Sequence, residues 1–446
     1  MKQLEYFFKI LILSLLGGYL HIVYGQEGNY KLENYGNQSA LLTGNVTASA
    51  SDLALTYYNP SKLSFLEESN VLISIKAYQW KQFSYENNFG EGKKVNDSEF
   101  SGIPSMIAGE FKIGSLPNHK FAYSLISRYR YDTNFKYESG ILENGSVGGI
   151  EDAQAALLNI YLRTRIKDEW FGLSWAHKLS ENFGIGATAF FSIYEFKEKG
   201  ELLVSGLQSN NEVALLANRL SYKQNAYGVF FKLGMTYKIS DIDLGANISV
   251  PYLGIYNDAS ILVQELTGGL GADGDSFQYI EEDDLKNQRK TALGIAIGAG
   301  IPIGKSKLHL NAEWYSKVNE YERISLPDNV LDNDRNQSQF NEEFKSVVNF
   351  GAGADVFLSP SITLILSVSS DYNAHVSSLN LLDELNQNES NVNVLGDFWH
   401  FGVGTDLSVK WGNLYTGFVY SQTSTDIEKS PDFLPEDIGD TVKGGL

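Results

Sequence analysis

A period of two runs through most of this chain and limits what it can fold into. Between residues 399 and 411 the odd positions are mostly large and apolar, whereas the even positions are small, polar or charged. Successive side chains of a strand point to opposite faces of its sheet, so this alternation predicts a strand with one apolar face. The pattern recurs at residues 227–237, 308–318, 344–358 and 362–374.

The length of these segments favours a membrane barrel over a soluble sandwich. Sandwich strands usually have about 5–6 residues, whereas several segments here exceed ten, roughly the length that crosses a bilayer at a tilt. Trp399 and Trp411 bracket one apolar face, as aromatic girdles do at the two membrane interfaces. After the N-terminus no apolar run reaches the length of a spanning helix, and residues 291–304 come nearest. We therefore predict an all-β fold, a transmembrane antiparallel β-barrel.

The connections between the segments predict the number of strands. Short turn-like links occur at residues 115–120, 179–184, 239–244, 302–307, 358–363 and 410–414. Longer polar stretches occur at residues 89–98, 139–151, 205–219, 266–284, 327–341, 382–393 and 425–440. Short turns at one end and long loops at the other are typical of outer-membrane barrels. The alternation of links predicts about 14 strands, of which the last is a stub.

That stub leads to an expectation about the C-terminus. An open sheet edge in lipid leaves backbone groups without hydrogen-bond partners. We therefore expect the gene product to continue about ten residues beyond Leu446, so that a complete last strand pairs with the first strand at residues 71–84.

The first 25 residues have the pattern of a secretory signal peptide. Lys2 precedes an apolar run at residues 10–20, and compact residues precede Gln26. The run is shorter than the roughly 20 residues of a membrane span. We predict export and a mature chain that begins at Gln26; the alternative is a buried N-terminal helix.

Composition excludes several functions. The chain has 446 residues, no cysteine and a formal net charge of -19. An acidic chain repels phosphate backbones, so we expect no nucleic-acid partner. The lack of cysteine excludes disulfides, thiolate catalysis and cysteine-bound metal. No linker divides the rest of the sequence, so we expect residues 70–446 to form the barrel.

Residues 26–69 precede the first strand and lack its alternation. The positions that carry a family pattern are Gly44, Asp52, Asn59, Pro60 and Leu63, with Ser61 and Lys62 in place of the alanine and glycine of that pattern. The segment resembles the N-terminal signature of FadL-type transporters of long-chain fatty acids and hydrocarbons in bacterial outer membranes. The resemblance implies that residues 26–69 form a hatch that plugs the barrel from the periplasmic side. The alternative is a tail or a packed plug without a role in transport.

The resemblance also raises the question of a side opening. Family members open sideways through an inward kink in the third strand. Residues 120–138 contain neither glycine nor proline, so the sequence does not support such a kink here.

Five bulky apolar residues interrupt the small and polar face that should line the lumen. These candidate ligand-binding residues are Phe190, Phe230, Val347, Ile365 and Phe398. They either line an apolar path or pack against the hatch. The same face carries Lys232, Glu313, Lys345, Asp355, Asp371, Asp406 and Lys410, which we expect to be solvated or paired rather than catalytic.

No motif indicates an enzyme, a metal site or a cofactor. Residues 269–274 fit a glycine-rich phosphate pattern, but they lack a strand-to-helix setting and precede an acidic run at residues 281–284. The histidines have no metal-ligand spacing, and no serine has a nucleophile's setting. His400 and Asp406 lie about 20 Å apart along one strand, too far for a dyad.

These observations favour passive uptake of hydrophobic compounds through a hatch-plugged barrel in the outer membrane of a Gram-negative bacterium. The expected partners are hydrophobic small molecules, such as fatty acids or hydrocarbons, together with outer-membrane lipid and lipopolysaccharide. We expect a monomer. The alternative is a general diffusion porin or a structural barrel, which ion conductance distinguishes from a plugged channel.

Overall fold

The structure is a computed structural model that describes most of the chain. The described residues are 28–66, 71–86, 94–147, 150–270, 275–325, 340–378, 396–410, 412–427 and 442–445. The predicted signal peptide and the predicted start at Gln26 lie outside them.

Short helices come first in the described chain and strands follow. The helices are α1 (Gln38–Leu41), α2 (Leu55–Tyr58) and a 3-10 helix (Pro60–Phe65). The strands are β1 (Val71–Glu86), β2 (Lys94–Phe111), β3 (His119–Glu138), β4 (Leu142–Val147), β5 (Ile150–Ser180), β6 (Phe183–Gln208), β7 (Val213–Ile239), β8 (Ile242–Gly268), β9 (Ser276–Glu282), β10 (Gly294–Ile303), β11 (Ser306–Tyr315), β12 (Val318–Ile324), β13 (Phe340–Phe344), β14 (Val347–Ser359), β15 (Ile362–Asp371), β16 (His375–Ser378), β17 (Phe398–Val409), β18 (Gly412–Gln422), β19 (Ser424–Ile427) and β20 (Val442–Gly445). Within the described ranges, no helix has both the length and the apolarity that a membrane span requires.

Seventeen of the strands form one antiparallel sheet. Neighbouring strands pair in the order β1-β2-β3-β5-β6-β7-β8-β10-β11-β14-β15-β17-β18. Strand β4 pairs with β5 beyond the end of β3, and β9 pairs with β8 beyond the end of β10. Strand β19 follows β18 and pairs with β20. With β20 the sheet has fourteen strand positions, which confirms the predicted all-β antiparallel fold.

The two edges of the sheet meet at one end only. Strand β20 pairs with Ser84, Tyr85 and Glu86 of β1 on one side and with β19 on the other. In the part of the chain that the structure describes, residues 71–83 of β1 pair with β2 alone. The sheet is therefore not closed along its full height.

The two faces of the sheet differ as the alternation predicts. In β17 the side of Gly402 and Gly404 is buried, while Phe401 and Val403 are exposed. Exposed apolar residues continue around the sheet: Leu125, Phe171, Leu173, Phe191, Ile193, Leu233, Met235, Ile295, Ile297, Leu310, Val348, Phe350, Leu366 and Phe418. A continuous apolar surface of this extent is typical of contact with a membrane.

All six predicted short links join neighbouring strands, but several predicted long loops are partly strand. Residues 205–219 were expected to form a loop, yet β6 runs to Gln208 and β7 begins at Val213. Strand β2 begins inside the predicted loop at 89–98, β4 and the start of β5 lie within 139–151, and β9 lies within 266–284.

The predicted loops are partly strand because several strands extend beyond the membrane. Strands β5 to β8 have 31, 26, 27 and 27 residues, far more than the roughly 9–11 residues that a bilayer crossing needs. Beyond the membrane both faces are in water and carry polar residues, so polarity there indicated loops wrongly.

Strand β3 contains an irregularity that the sequence analysis did not support. Its register against β5 shifts between Ser127 and Tyr129, which places a bulge at Arg128. Strand β2 pairs with β3 only from Met106–Ile126 to Phe111–Phe121, so the described parts of the two strands separate above this point. A bulge needs neither glycine nor proline, because one extra residue is enough to bend the strand.

Candidate functional site

Residues 28–66, here called the N-terminal segment, lie against the buried face of the sheet. Four side-chain bonds to backbone oxygens fix the segment at distant strands: Ser74 Oγ to Gly36 (2.7 Å), Thr188 Oγ1 to Thr56 (2.8 Å), Asn59 Nδ2 to Met235 (3.2 Å) and Ser367 Oγ to Leu41 (2.7 Å). These contacts involve β1, the neighbouring strands β6 and β7, and β15, three places that are far apart in the sheet order. The sheet therefore curves around the segment.

Asp52 organises the first half of the segment. Its carboxylate is buried and accepts hydrogen bonds from the backbone N–H groups of Asn37 (2.8 Å), Ser39 (3.2 Å) and Ala54 (3.1 Å) and from Ser39 Oγ (2.8 Å). Burial raises the pKa of Asp52, while these hydrogen bonds act in the opposite direction. Asp52, one of the predicted motif residues, therefore has a structural role, because it connects residues 37–39 to residue 54.

Asn59 joins the segment to β7. Its side-chain oxygen accepts from the backbone N–H of Ser61 (3.3 Å) and from Ser61 Oγ (2.7 Å), which caps the 3-10 helix. Its Nδ2 donates to the carbonyls of Thr47 (2.7 Å) and Met235 (3.2 Å). A Cβ at Gly234 would lie 2.1 Å from Asn59 Oδ1, so β7 needs a glycine there.

The remaining motif residues serve close packing. Pro60 starts the 3-10 helix and lies over Gly186 of β6, where a Cβ would be 2.6 Å from the proline carbonyl carbon. Leu63 is fully buried. Gly44 has a φ of 73°, a left-handed conformation that favours glycine.

Lys62 departs from the family pattern and has its own partner. Its ammonium lies 2.7 Å from Asp243 Oδ2 of β8, and its side chain is only 8% exposed. Burial lowers the pKa of Lys62 to about 8, an effect that Asp243 opposes. The lysine therefore forms an ion pair between the segment and the short-turn end of the barrel.

Two of the five predicted apolar residues meet around one aromatic ring of the described structure. Phe190 and Phe230 both contact Trp170, with ring centroids 5.0 and 4.4 Å away, and Phe190 also meets Tyr57 of the segment. Ile365 belongs to the same large buried core as these two phenylalanines. Val347 instead packs in a separate cluster with Tyr30 and Phe344, and Phe398 stacks on His400. The five residues do not form one pocket in the described structure.

Most of the predicted lumenal charges have defined partners. Glu313 pairs with Lys31 at 3.1 Å, and Asp371 accepts from the backbone N–H groups of Tyr30 and Lys31. Asp355 lies 3.0 Å from His309, and Asp406 accepts a hydrogen bond from Asn413. The Lys232 ammonium lies 3.8 Å from the Tyr57 ring centroid. Lys345 and Lys410 are exposed. Several of these contacts are with the segment rather than with a free lumen.

Sequence reasoning missed the arginines that fill the lumen. Arg289 Nη2 lies 2.7 Å from Asp168 Oδ2, and its guanidinium stacks 3.8 Å from the Tyr194 ring centroid. Arg323 pairs with Glu342 at 2.8 Å and donates to Tyr194 Oη at 2.6 Å. Both arginines come from polar stretches between barrel strands, where nothing in the sequence distinguishes an inward-folded basic residue from a solvated one.

Arg128 is a third missed residue, and it lies at the bulge of β3. It is buried, and its guanidinium carbon lies 5.8 Å from the ring centroids of both Tyr57 and Trp170. Tyr35 Oη donates to the Arg128 carbonyl at 2.5 Å. The bulge is thus held by aromatic residues of the N-terminal segment.

An antiparallel sheet with an apolar outer face, curved around a buried N-terminal segment, defines this protein as a transmembrane β-barrel. No protein-family profile matches the chain, and no curated protein matches its sequence.

Solved structures show the particular type of barrel. A FadL homologue of Pseudomonas aeruginosa superposes with a TM-score of 0.57 at 10% identity, covering 94% of this chain and 97% of that chain. The toluene transporter TodX of P. putida gives 0.58 at 12%, covering 93% and 96%. The monoaromatic hydrocarbon channel CymD gives 0.50 at 11%, covering 93% and 96%. The chain has the FadL-type fold, which confirms the resemblance at the level of fold.

Proposed function

We propose that this protein is an outer-membrane channel that passively admits hydrophobic small molecules, and that residues 26–69 form the hatch of its lumen. The observation that carries the proposal is the position of the N-terminal segment. It is buried, it fills the space inside the curved sheet, and it is bonded to strands on opposite sides of that space. A solute that crosses the barrel must therefore pass this segment or displace it.

The interior supports a hydrophobic cargo over ions. Trp170, Phe190 and Phe230 form an aromatic layer directly beyond Tyr57 of the segment. Structurally similar proteins include a toluene transporter and a monoaromatic hydrocarbon channel. A diffusion porin keeps a water-filled lumen, whereas large side chains occupy this one. The same rings have a packing role against the segment, so Phe190 and Phe230 are the candidate ligand contacts of the original five.

The apolar outer face and the N-terminal sequence indicate where the protein is located and what covers its surface. We propose that residues 1–25 direct export, that the protein lies in the outer membrane of a Gram-negative bacterium as a monomer, and that lipid and lipopolysaccharide cover its apolar face. The short turns then face the periplasm and the long loops face the outside.

A reversible tether tests the hatch directly. Ser61 Oγ and Thr236 Oγ1 lie 2.7 Å apart, and the chain has no cysteine of its own. A Ser61→Cys/Thr236→Cys variant can therefore form a single disulfide between the segment and β7. Cells that produce this variant should take up labelled toluene slowly when oxidised and at the unaltered rate after reduction.

The single variants Ser61→Cys and Thr236→Cys serve as controls and should be insensitive to oxidant. Uptake that does not change on oxidation of the double variant would show that the segment is not a hatch. An unaltered protein that gives no more uptake than cells without it would reject the channel itself.

A further inference from the structure

A group of basic side chains lies on the outer face of the sheet, just beyond the apolar surface. In β6 the exposed Ile193 belongs to that surface, and Lys197 follows four residues later on the same face of the strand. At about 3.3 Å per residue, Lys197 lies about 13 Å beyond Ile193 along the strand. Because barrel strands are tilted, the difference in height is smaller. The basic side chains therefore lie at the level of the lipid headgroups.

The outward side chains of residues 130–138, 161–169, 193–201 and 219–227, here called the outer belt, are positive although the chain as a whole is acidic. They include nine basic and five acidic residues, in a chain whose formal net charge is -19. The basic residues are Arg130, Lys136, Arg163, Arg165, Lys167, Lys197, Lys199, Arg219 and Lys223, and the acidic residues are Asp132, Glu138, Glu169, Glu195 and Glu201. The belt therefore favours an anionic partner.

Three of these cations are directly opposite one another on neighbouring strands. Arg165 of β5 is in register with Lys197 of β6, and Lys197 is in register with Lys223 of β7. One row further out, Arg163 is opposite Lys199. Like charges directly opposite each other destabilise a sheet. An anion bound at this row would reduce the repulsion between the three cations.

The acidic residues of the belt neutralise it only in part, and its cations are accessible. The Asp132 carboxylate is shared by Arg163 at 3.0 Å and Arg165 at 3.9 Å, while Glu195 pairs with Lys197 at 2.7 Å. The side chains of Arg163, Arg165 and Lys197 are 44%, 33% and 41% exposed. Positive charge thus remains available to a partner outside the barrel.

We propose that the outer belt binds the phosphate groups of lipopolysaccharide in the outer leaflet. The belt continues the face that lipid covers, so the headgroups of the surrounding lipid contact it. Phosphate oxygens accept strong, charge-assisted hydrogen bonds from arginine and lysine. The inference rests on the proposed location in the outer membrane, and it adds a binding site that lies outside the transport path.

The test measures lipid binding to the full-length protein in detergent by native mass spectrometry. The ligands are lipid A with two phosphates, lipid A with one phosphate, and phosphatidylglycerol as a general anionic lipid. The unaltered protein should bind the doubly phosphorylated lipid A most tightly. The Arg165→Gln/Lys197→Gln/Lys223→Gln variant should bind it about tenfold more weakly. Because the substitutions remove like charges, the unfolding temperature of this variant should not fall.

The variant Lys178→Gln/Lys238→Gln/Lys305→Gln is the matched control. It removes the same charge at the short-turn end, where the ammonium groups of Lys178 and Lys238 lie 5.5 and 4.8 Å from the Phe65 ring centroid. Its affinity for lipid A should be unchanged.

Three results would overturn the proposal. They are equal weakening in both triple variants, equal affinity of the unaltered protein for lipid A and phosphatidylglycerol, and no binding of lipid A by the unaltered protein. Each result leaves the channel proposal intact, because toluene uptake through the lumen is measured separately.

Discussion

Small residues on the inner face of the sheet leave room for the N-terminal segment to pack against the strand backbone. A Cβ at Gly402 would lie 2.1 Å from the carbonyl oxygen of Leu41, and one at Gly245 would lie 2.4 Å from that of Thr47. The alternation of small and large residues therefore reflects two requirements at once. Large apolar residues face lipid, and small ones let a folded segment approach the strand backbone.

Substitutions at neighbouring positions of β17 test this assignment. Val403→Arg places a charge on the lipid-facing side and should cost about 2–4 kcal/mol. The sequence alone suggests that Gly404→Ser is tolerated, but a Cβ there would lie 2.6 Å from Leu41 Cδ1. We expect Gly404→Ser to lower the free energy of unfolding in lipid, and Leu41→Ala to relieve part of that loss in a double-mutant cycle. Strictly additive effects of the two changes would show that they do not touch.

Asn59→Ala should loosen the segment more than a surface substitution does. The change removes the cap of the 3-10 helix and leaves the carbonyls of Thr47 and Met235 without this donor, a loss of about 1–3 kcal/mol. Hydrogen exchange of residues 28–66 should become faster, while the exposed Asn210→Ala should leave it unchanged. Equal protection in both variants would mean that Asn59 does not anchor the segment.

Strands were predictable here to the extent that one face meets lipid. Strand β17 was visible because Phe401 and Val403 alternate with glycines, and each short link was visible because turn residues cluster there. The outer parts of β6 and β7 were not, since the polar residues between 205 and 219 indicated a loop, although β6 extends to Gln208 and β7 begins at Val213. Nothing in the residues of β3 signalled its bulge, because the bulge depends on contacts of Arg128 with distant aromatic rings.

The 3-10 helix should dock more tightly as the pH rises above 8. Burial lowers the pKa of Lys62 from 10.5 to about 8, so between these values the unfolded chain binds more protons than the folded one. Stability therefore increases with pH across this window. The difference in unfolding free energy between the unaltered protein and Lys62→Met should change in favour of the unaltered protein from about pH 8 to about pH 10.

Lys305→Met, which alters an exposed lysine, controls for the general effect of alkaline pH and should show no such trend. A difference for Lys62→Met that is flat, or that falls as the pH rises, would contradict the burial of the Lys62 ammonium.

The complete molecule shows why site residues were harder to find than strands. Phe190 and Phe230 were predicted from their places on an inner face, and they do meet around Trp170. Val347 and Phe398 satisfied the same pattern, yet they pack in other clusters, because face alone says nothing about height in the barrel. Arg289 and Asp168, which pair in the lumen, are more than a hundred positions apart in the sequence. No pattern in a single sequence indicates such a pair.

Single-channel conductance in planar bilayers, for the mature chain and for a chain that lacks residues 28–66, tests most directly whether the segment closes the barrel. The mature chain should conduct poorly, because the segment fills the space inside the sheet, and its removal should give large, steady current steps like those of a water-filled barrel. Large steps from the mature chain, or no increase when the segment is removed, would contradict a hatch-plugged channel and favour a general diffusion porin or a structural barrel.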